Sequence, residues 1–574
     1  MLVSLASCSV NDVEKPEVIT ADKTTAYAKV VISMPNVTGT RASFDEGKMS
    51  FDGGETEESK IGSINLAFYD ENGTYVCQAS LDSELDLGSA EPQGEAGNDG
   101  NNVSNSYAQV LRVTIPEGVN KPTQVVAFIN TDVKTNNLNE LYTNTKVTVG
   151  AFANDEGFVM TNSGYYNGSD YVIAVPVTLF PTEAEADEVK TEEEGMTVIY
   201  VERLAAKITV DIDEKGITQN KEANYVVKSV DGKTVTLNYT PKFWGATGTA
   251  QEENMVKTQF NKSAEWMNAA GLHRSYWAES VYYTTTPYTV ADSPLTYLKF
   301  NEIAGTADGD HASDDMNAIG KSNYVFEHTA SVGGIEGMDL ISNTYVIVTG
   351  NYDVYVNGDL DTDVYFKTDE ENEKVVDFYL LSNGVDNESG KSVFTIYNET
   401  QLMNYLLGYN GIDAVYADEK GDEIEVDDLA NCFELEYKVV DGVGKYYLAI
   451  LAGETVYVEK EGSYVELTAD ALVKSTNSRH YYFPEGGAYF NVPIPQNISG
   501  NNITYGVVRN HSYVLTIEEI QSLGAPLDEN KFTSDEPGSE PGGEPVIPDP
   551  NFDNYIKAKI NILSWHVMKH GVTL

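Results

Sequence analysis

The chain has 574 residues, 41% of them hydrophobic, with 37 basic against 89 acidic residues and a formal net charge of −52. That length supports two to four domains with proper cores, and so large a negative charge repels a phosphate backbone, which argues against nucleic acid as a partner. Tyr (37) far outnumbers Trp (4), and residues that favour strands dominate, so the expected class is all-β with a solvated acidic surface.

At the start of the chain, Leu5-Ala-Ser-Cys8 has the pattern of a bacterial lipobox, in which the Cys is acylated after signal removal. The residues ahead of it are few and carry no basic n-region, so either the start is misassigned or residues precede Met1. Residues 9–24 read as a polar tether. No stretch reaches the ~20 apolar residues of a membrane span, so attachment is expected to be through lipid at Cys8. Cys77 and Cys432 are too few and too far apart for a disulfide framework and read as inert thiols.

The first strand signal is Ala26 to Met34, with Ala26, Ala28, Val30, Ile32 and Met34 on one face, closed by Pro35. A small-residue loop with an isolated Arg41 follows. Residues 61–69 and 74–78 flank an Asp-Glu-Asn-Gly turn and form a hairpin. Further strands are expected over 110–115, 122–130, 171–177 and 197–212, with a short helix over 135–141. The acidic run 183–194 reads as an exposed loop. Beyond a boundary at 213–216, strands are expected over 225–230 and 234–239. Residues 344–349 and 353–356 are expected to form a hairpin about a Gly-Asn turn. Late strands are expected over 486–494 and 506–517, and helices over 264–270 and 401–407. Short strands with Gly, Asn and Asp turns argue for β-sandwiches, and no fixed period repeats.

After a Pro/Gly-rich linker over 536–550 comes a last strand, Tyr555 to Met568, with Ile556, Ala558, Ile560 and Ile562 on one face, followed by Trp565 and Val567. It has no hairpin partner in sequence and cannot be stable alone, so it must pair with a sheet edge of its own body or of another molecule.

Sites of chemistry are weakly signalled. Asp359, Asp361, Asp363 and Glu370 have part of a calcium-loop spacing, but Val364 replaces the Gly that the sharp turn needs. His566 and His570 would sit about 13 Å apart on a strand, too far to share a metal. The acidic loop at 308–315 reads as a polar loop. No nucleophile elbow, P-loop or dinucleotide fingerprint is present, so neither an enzyme nor a cofactor is expected.

Together, several short motifs resemble the Mfa-type major fimbrial subunits of Bacteroidales, in the fimbrillin family. They are Leu-Ala-Ser-Cys8, the strand ending Val-Ile-Ser-Met-Pro35, Gly-Thr-Arg-Ala42, Val-Glu-Arg-Leu-Ala-Ala-Lys207, Val-Val-Arg-Asn-His-Ser-Tyr513, Ile-Gln-Ser-Leu-Gly524, the linker and the ending Ile-Asn-Ile-Leu-Ser-Trp-His-Val-Met568 onward. The resemblance implies two β-sandwich domains of transthyretin-like, Greek-key type with a few short helices. It divides the chain into a signal remnant (1–8), a propeptide with a removable strand (9–41), an N-terminal sandwich (42–213), a C-terminal sandwich (214–535) and a linker with a donor strand (536–574).

The resemblance also implies a cycle. A precursor acylated at Cys8 reaches the outer membrane, an Arg-specific surface protease cuts between Arg41 and Ala42, and the strand from Ala26 to Met34 leaves a groove. The C-terminal strand of another copy fills that groove, giving a head-to-tail polymer that forms an extracellular fimbria and supports adhesion, with anchor or tip subunits as accessory partners. Physics agrees: an emptied groove recruits a strand, and different surfaces used head to tail need not close. Two rivals stand beside this reading. One is an anchor or tip adhesin of the same system; the other is a surface glycan-binding lipoprotein, which would need an aromatic platform or a carboxylate pair in a cleft. A tail folded back in cis is the alternative for the last strand.

Overall fold

The computed structural model describes residues 23–35, 58, 60–81, 103–148, 151, 153–166, 171–213, 216–219, 223–257, 278–289, 291–304, 315–330, 340–368, 374–441, 443–499, 502–529, 546, 557–564 and 568–569. Strands dominate and helices are few and short, so the all-β class holds.

The N-terminal half is built on β1 (Lys23–Pro35), β2 (Ile64–Tyr69), β3 (Tyr75–Leu81), β4 (Val103–Pro116), β5 (Gln124–Ile129), β6 (Met160–Asn162) and β7 (Thr197–Arg203). They run in the order β3-β2-β5-β6-β7-β1-β4, and the edge strands β3 and β4 lie close, so the sheet curls towards a barrel. In β2 and β5 both faces are buried. Ile64, Leu66 and Phe68 enter the inner core with Val125, Ala127 and Ile129, while Ala67, Tyr69, Val126 and Phe128 enter a second cluster that includes Phe326 and Met255 of the C-terminal half. That double burial explains why these strands read as continuous apolar runs rather than alternating ones.

Two helices decorate this half. α1 (Leu138–Asn144) is capped by Asn137, whose side chain accepts from Glu140 N–H, close to the expected 135–141. α2 (Glu183–Glu188) replaces the exposed loop expected for the acidic run. Thr182 caps it, Glu183 and Glu185 sit in the first turn where the helix dipole favours negative charge, and Ala186 is buried.

The chain then changes sheets at Leu204. β8 (Ala205–Ile212) continues directly from β7 but joins the C-terminal half, where Ala206, Ile208 and Val210 enter the larger core. The switch therefore falls about nine residues ahead of the boundary expected at 213. This half contains β9 (Tyr225–Lys228), β10 (Thr234–Thr247), β11 (Ser322–Phe326), β12 (Tyr345–Val356), β13 (Phe378–Val385), β14 (Ser392–Tyr397), β15 (His480–Phe483), β16 (Gly487–Pro493), β17 (His511–Ile520), β18 (Lys557–Ser564) and β19 (Met568–Lys569). One sheet runs β15-β13-β14-β9-β10-β12-β16, and the facing one runs β11-β8-β17-β18-β19. Between β14 and β15, the capped helix α3 (Glu399–Tyr409) and two hairpins form a separate small core around Leu402, Leu406, Phe433 and Leu448.

Two further expectations are corrected. Residues 345–356 form one continuous strand, not a hairpin. Gly350 makes no turn; it sits where β10 shifts register at Pro241/Phe243, and a Cβ there would lie 2.1 Å from the Thr240 carbonyl oxygen. Glycine is needed for that close approach of backbones. Conversely, the segment 506–517 is not one strand. It turns at Asn510, whose φ is 58°, between a strand at Asn502–Val507 and β17.

Candidate functional site

β1 is seated on both edges. It runs antiparallel to β4 along its length, with Ala28 opposite Leu111 and Val30 opposite Gln109, and parallel to β7 over Val30–Ser33. Ahead of the start of β7, Tyr27 exchanges backbone hydrogen bonds with Phe180 at 2.8 and 2.7 Å. Ala28, Val30 and Ile32 are almost fully buried in the inner core, and Ala26 packs against it half-buried. Val30 and Ile32 contribute about 1.5–3 kcal/mol each by burial. On the outer face Lys29 pairs with Asp187 of α2 at 3.0 Å. Backbone position places Met34 in the same strand; its side chain lies outside the described residues, as do Cys8, Arg41 and Ala42.

A buried charged junction lies where β7 passes into β8, built from the two motifs 201–207 and 507–513. Arg203 Nε donates to the Glu58 carbonyl at 2.6 Å, and Lys207 Nζ meets the Glu58 carboxylate at 2.7 Å. The Tyr324 hydroxyl donates to the same carboxylate. The Arg203 backbone N–H reaches Asn510 Oδ1 at 3.3 Å, and Asn510 N–H donates to the Ala205 carbonyl. Beside it, Arg509 pairs with Glu253, lies 3.7 Å from Glu327, and donates to the carbonyls of Asn254 and Met255. Lys257 pairs with Glu202 at 3.2 Å.

Arg509 and Lys257 thus face three buried carboxylates. Burial pushes Glu253 up to about 8, with Arg509 opposing and Glu327 adding to the rise. The sequence singled out both motifs, but nothing in their spacing showed that they meet or that Glu58 joins them.

The tail has a partner in this single chain. β18 lies antiparallel to β17, with Ala558 opposite Ile517, Ile560 opposite Leu515 and Ile562 opposite Tyr513; β17 is parallel to β8 on its other edge. The chain then turns back, β19 pairing with β18 through Asn561 and Ile562. So the strand expected to lack a hairpin partner has a short one, and the cis alternative is the one seen. The physical reason is that β17 is the edge that β8 leaves open. Ile556, Trp565 and Val567 lie outside the described residues. The linker is not free along its whole length either. Val546 is fully buried, its N–H donating to the Leu298 carbonyl at 2.8 Å and its own carbonyl accepting from the Tyr345 hydroxyl at 3.2 Å.

Elsewhere, Asp361 Oδ1 accepts from the N–H groups of Asp363 and Val364, so the acidic segment there closes a turn, and Lys374 pairs with Asp363. Among the described residues no group of His, Cys, Asp and Glu side chains is arranged to hold a metal. Cys77 and Cys432 are free, and burial pushes the Cys77 thiol up to about 11. No helix among the described residues is long and apolar enough to cross a membrane. A cavity of about 350 Å³ includes Glu302 and Asp315 in its lining, but Glu302 is engaged by the Lys299 N–H at 2.7 Å.

Residues 481–570, from within β15 to just past β19, match the family model described as Major fimbrial subunit protein type IV, Fimbrillin, C-terminal. This region, which contains the tail and the strand it docks on, is of the fimbrillin type. Solved structures similar to the chain include three of the fimbrial or adhesion kind. One is a candidate cell adhesion protein from Parabacteroides distasonis, 10% identical with a TM-score of 0.35, covering 95% of this chain and 99% of that one. Another is the tip fimbrial protein Mfa3 from Porphyromonas gingivalis with C-terminal truncation, 12% identical with a TM-score of 0.29, covering 94% and 100%. The third is a fimbrial assembly protein from Parabacteroides distasonis, 14% identical with a TM-score of 0.26, covering 65% and 100%. No curated protein sequence matches the chain.

Proposed function

We propose that this chain is a structural stalk subunit of a cell-surface fimbria, exported as a lipoprotein acylated at Cys8 and assembled by strand exchange. The observation that carries the reading is the way β1 is attached. It is a seated strand joined to the body only through residues 36–57, which include Arg41, and the chain is pinned again at Glu58. A cut between Arg41 and Ala42 by an Arg-specific protease frees β1 while the body beyond stays anchored.

The emptied seat has two open edges, β4 and β7, whereas the cis site offers the tail the long edge of β17 and two residues of β19. Each added ladder hydrogen bond contributes about 0.5–1.5 kcal/mol, so a tail gains by leaving β17 for the seat of another copy. Head-to-tail growth follows, because donor and acceptor are different surfaces.

The test is polymer growth after Arg-specific proteolysis, read as SDS-stable ladders and by negative-stain microscopy. Arg41→Ala should abolish ladders, and deletion of residues 555–574 should give cleaved monomers that cannot extend. Normal filaments from either variant would sink the reading. A deletion variant that accepts strands but never donates one is also what separates a stalk subunit from a tip.

A further inference from the structure

We infer that the tail enters the emptied seat in one register and one direction, with Ala558 in the place of Ala28 and Lys559 in the place of Lys29. This rests on the strand-exchange reading and adds to it the residues that set its specificity. The inner face of β1 reads small, large, large: Ala28, Val30 and Ile32 are 0%, 2% and 1% exposed. The tail reads Ala558, Ile560, Ile562 in the same direction. Run the other way over the same three residues, Ile562 would fall into the Ala28 slot, and keeping Ala558 there would put Asn554 in the slot of Ile32.

A shift of two residues either way also places an Ile there, from position 556 or 560, and one of those shifts puts Ser564 in the slot of Ile32. The Ala28 slot is closed and faces Leu111, so extra methylenes have no room without displacing the core. The outer face gives an independent match. Lys29 reaches Asp187 at 3.0 Å, and in this register Lys559 inherits that partner. The shift that brings Ile560 to Ala28 would put Asn561 there instead. Only the proposed register satisfies the small slot and the ion pair together; the polar-for-apolar exchanges it leaves are Asn561 at Val31 and, at the strand's end, Ser564 at Met34.

The backbone makes the register measurable. Tyr27 directs its N–H and C=O to Phe180, so Tyr27 and Arg112 form a pair without mutual hydrogen bonds, the closer kind across an antiparallel ladder. Lys557 takes the place of Tyr27 and should face Arg112, an exposed position.

The experiment mixes full-length chains in a Cys432→Ser background, the donor carrying Lys557→Cys and the acceptor carrying Arg112→Cys, Val110→Cys or Thr114→Cys. After Arg-specific cleavage and assembly, mild oxidation should cross-link the Arg112→Cys pair at least tenfold more than the other two. If ladders form but Val110→Cys or Thr114→Cys cross-links best, the register is overturned while strand exchange stands. If the unmodified protein forms no ladders, strand exchange itself fails and the register falls with it. A second variant needs no cysteine: Ala558→Ile should slow polymer growth at least tenfold and Ala558→Gly should not. Growth of Ala558→Ile at the unmodified rate would overturn the matched slot.

Discussion

Replacing Glu58 by Ala should destabilise the whole junction between the halves. Glu58 is 1% exposed, and its carboxylate holds Lys207 at 2.7 Å and accepts from Tyr324. The Lys207 side chain is 8% exposed, so without Glu58 its ammonium stays buried with no carboxylate beside it. Breaking a buried pair by removing one member costs about 3–5 kcal/mol, and the lower figure already changes the folded-to-unfolded ratio more than a hundredfold. Urea denaturation followed by fluorescence, with pulse proteolysis to separate halves that need not unfold together, should show a midpoint lower by about 1 M or more. Adding Lys207→Met removes the stranded charge, so the double variant should be clearly more stable than the sum of the two single changes predicts. A Glu58→Ala chain within about 0.5 kcal/mol of the parent, or strict additivity in the cycle, would refute the claim that this contact fastens the chain downstream of Arg41.

Two further outcomes follow from the same structure. Val546→Asp puts a carboxylate into the fully buried position that pins the linker, losing about 1.5–3 kcal/mol of apolar burial before the charge is counted; limited trypsin digestion should then cut at Lys531 markedly faster than in the parent, and an equal rate of cleavage would show the pin to be unimportant. Glu253 is held up to about 8, so the folded chain binds the proton that the unfolded chain has released, and its contribution to stability is lost as pH rises through that value. Burial holds His328 and His480 down to about 4, so they act below about pH 6.5, and the fall between about pH 6.5 and 8 belongs to the carboxylate group. Thermal melts should show at most about 1.4 kcal/mol per pH unit of loss there, flattened by Glu253→Gln; a rise in that window would contradict the assignment.

The sequence by itself determined what depends on local pattern. Alternation over 26–34 and 555–564 marked both terminal strands, Asn137 and Asn398 start helices close to where periodicity placed them, and the Asp-Glu-Asn-Gly turn made its hairpin. Charge and strand-favouring composition set the class. What pairs with what was decided only in three dimensions, because a strand's pattern tells which face is buried and not which edge it meets. Gly350-Asn351 reads locally as a turn, yet the approach of Thr240 makes it the middle of a long strand. Residues 197–212 read as one strand, yet burial of Leu204 between the halves splits it across two sheets. Arg203 and Arg509 read as separate motif residues, yet they sit in one buried network, since only the fold brings positions some three hundred apart within hydrogen-bond reach of Asn510. The tail shows the division most plainly. Its apolar face required an edge, and the structure supplied β17, the one that β8 leaves open.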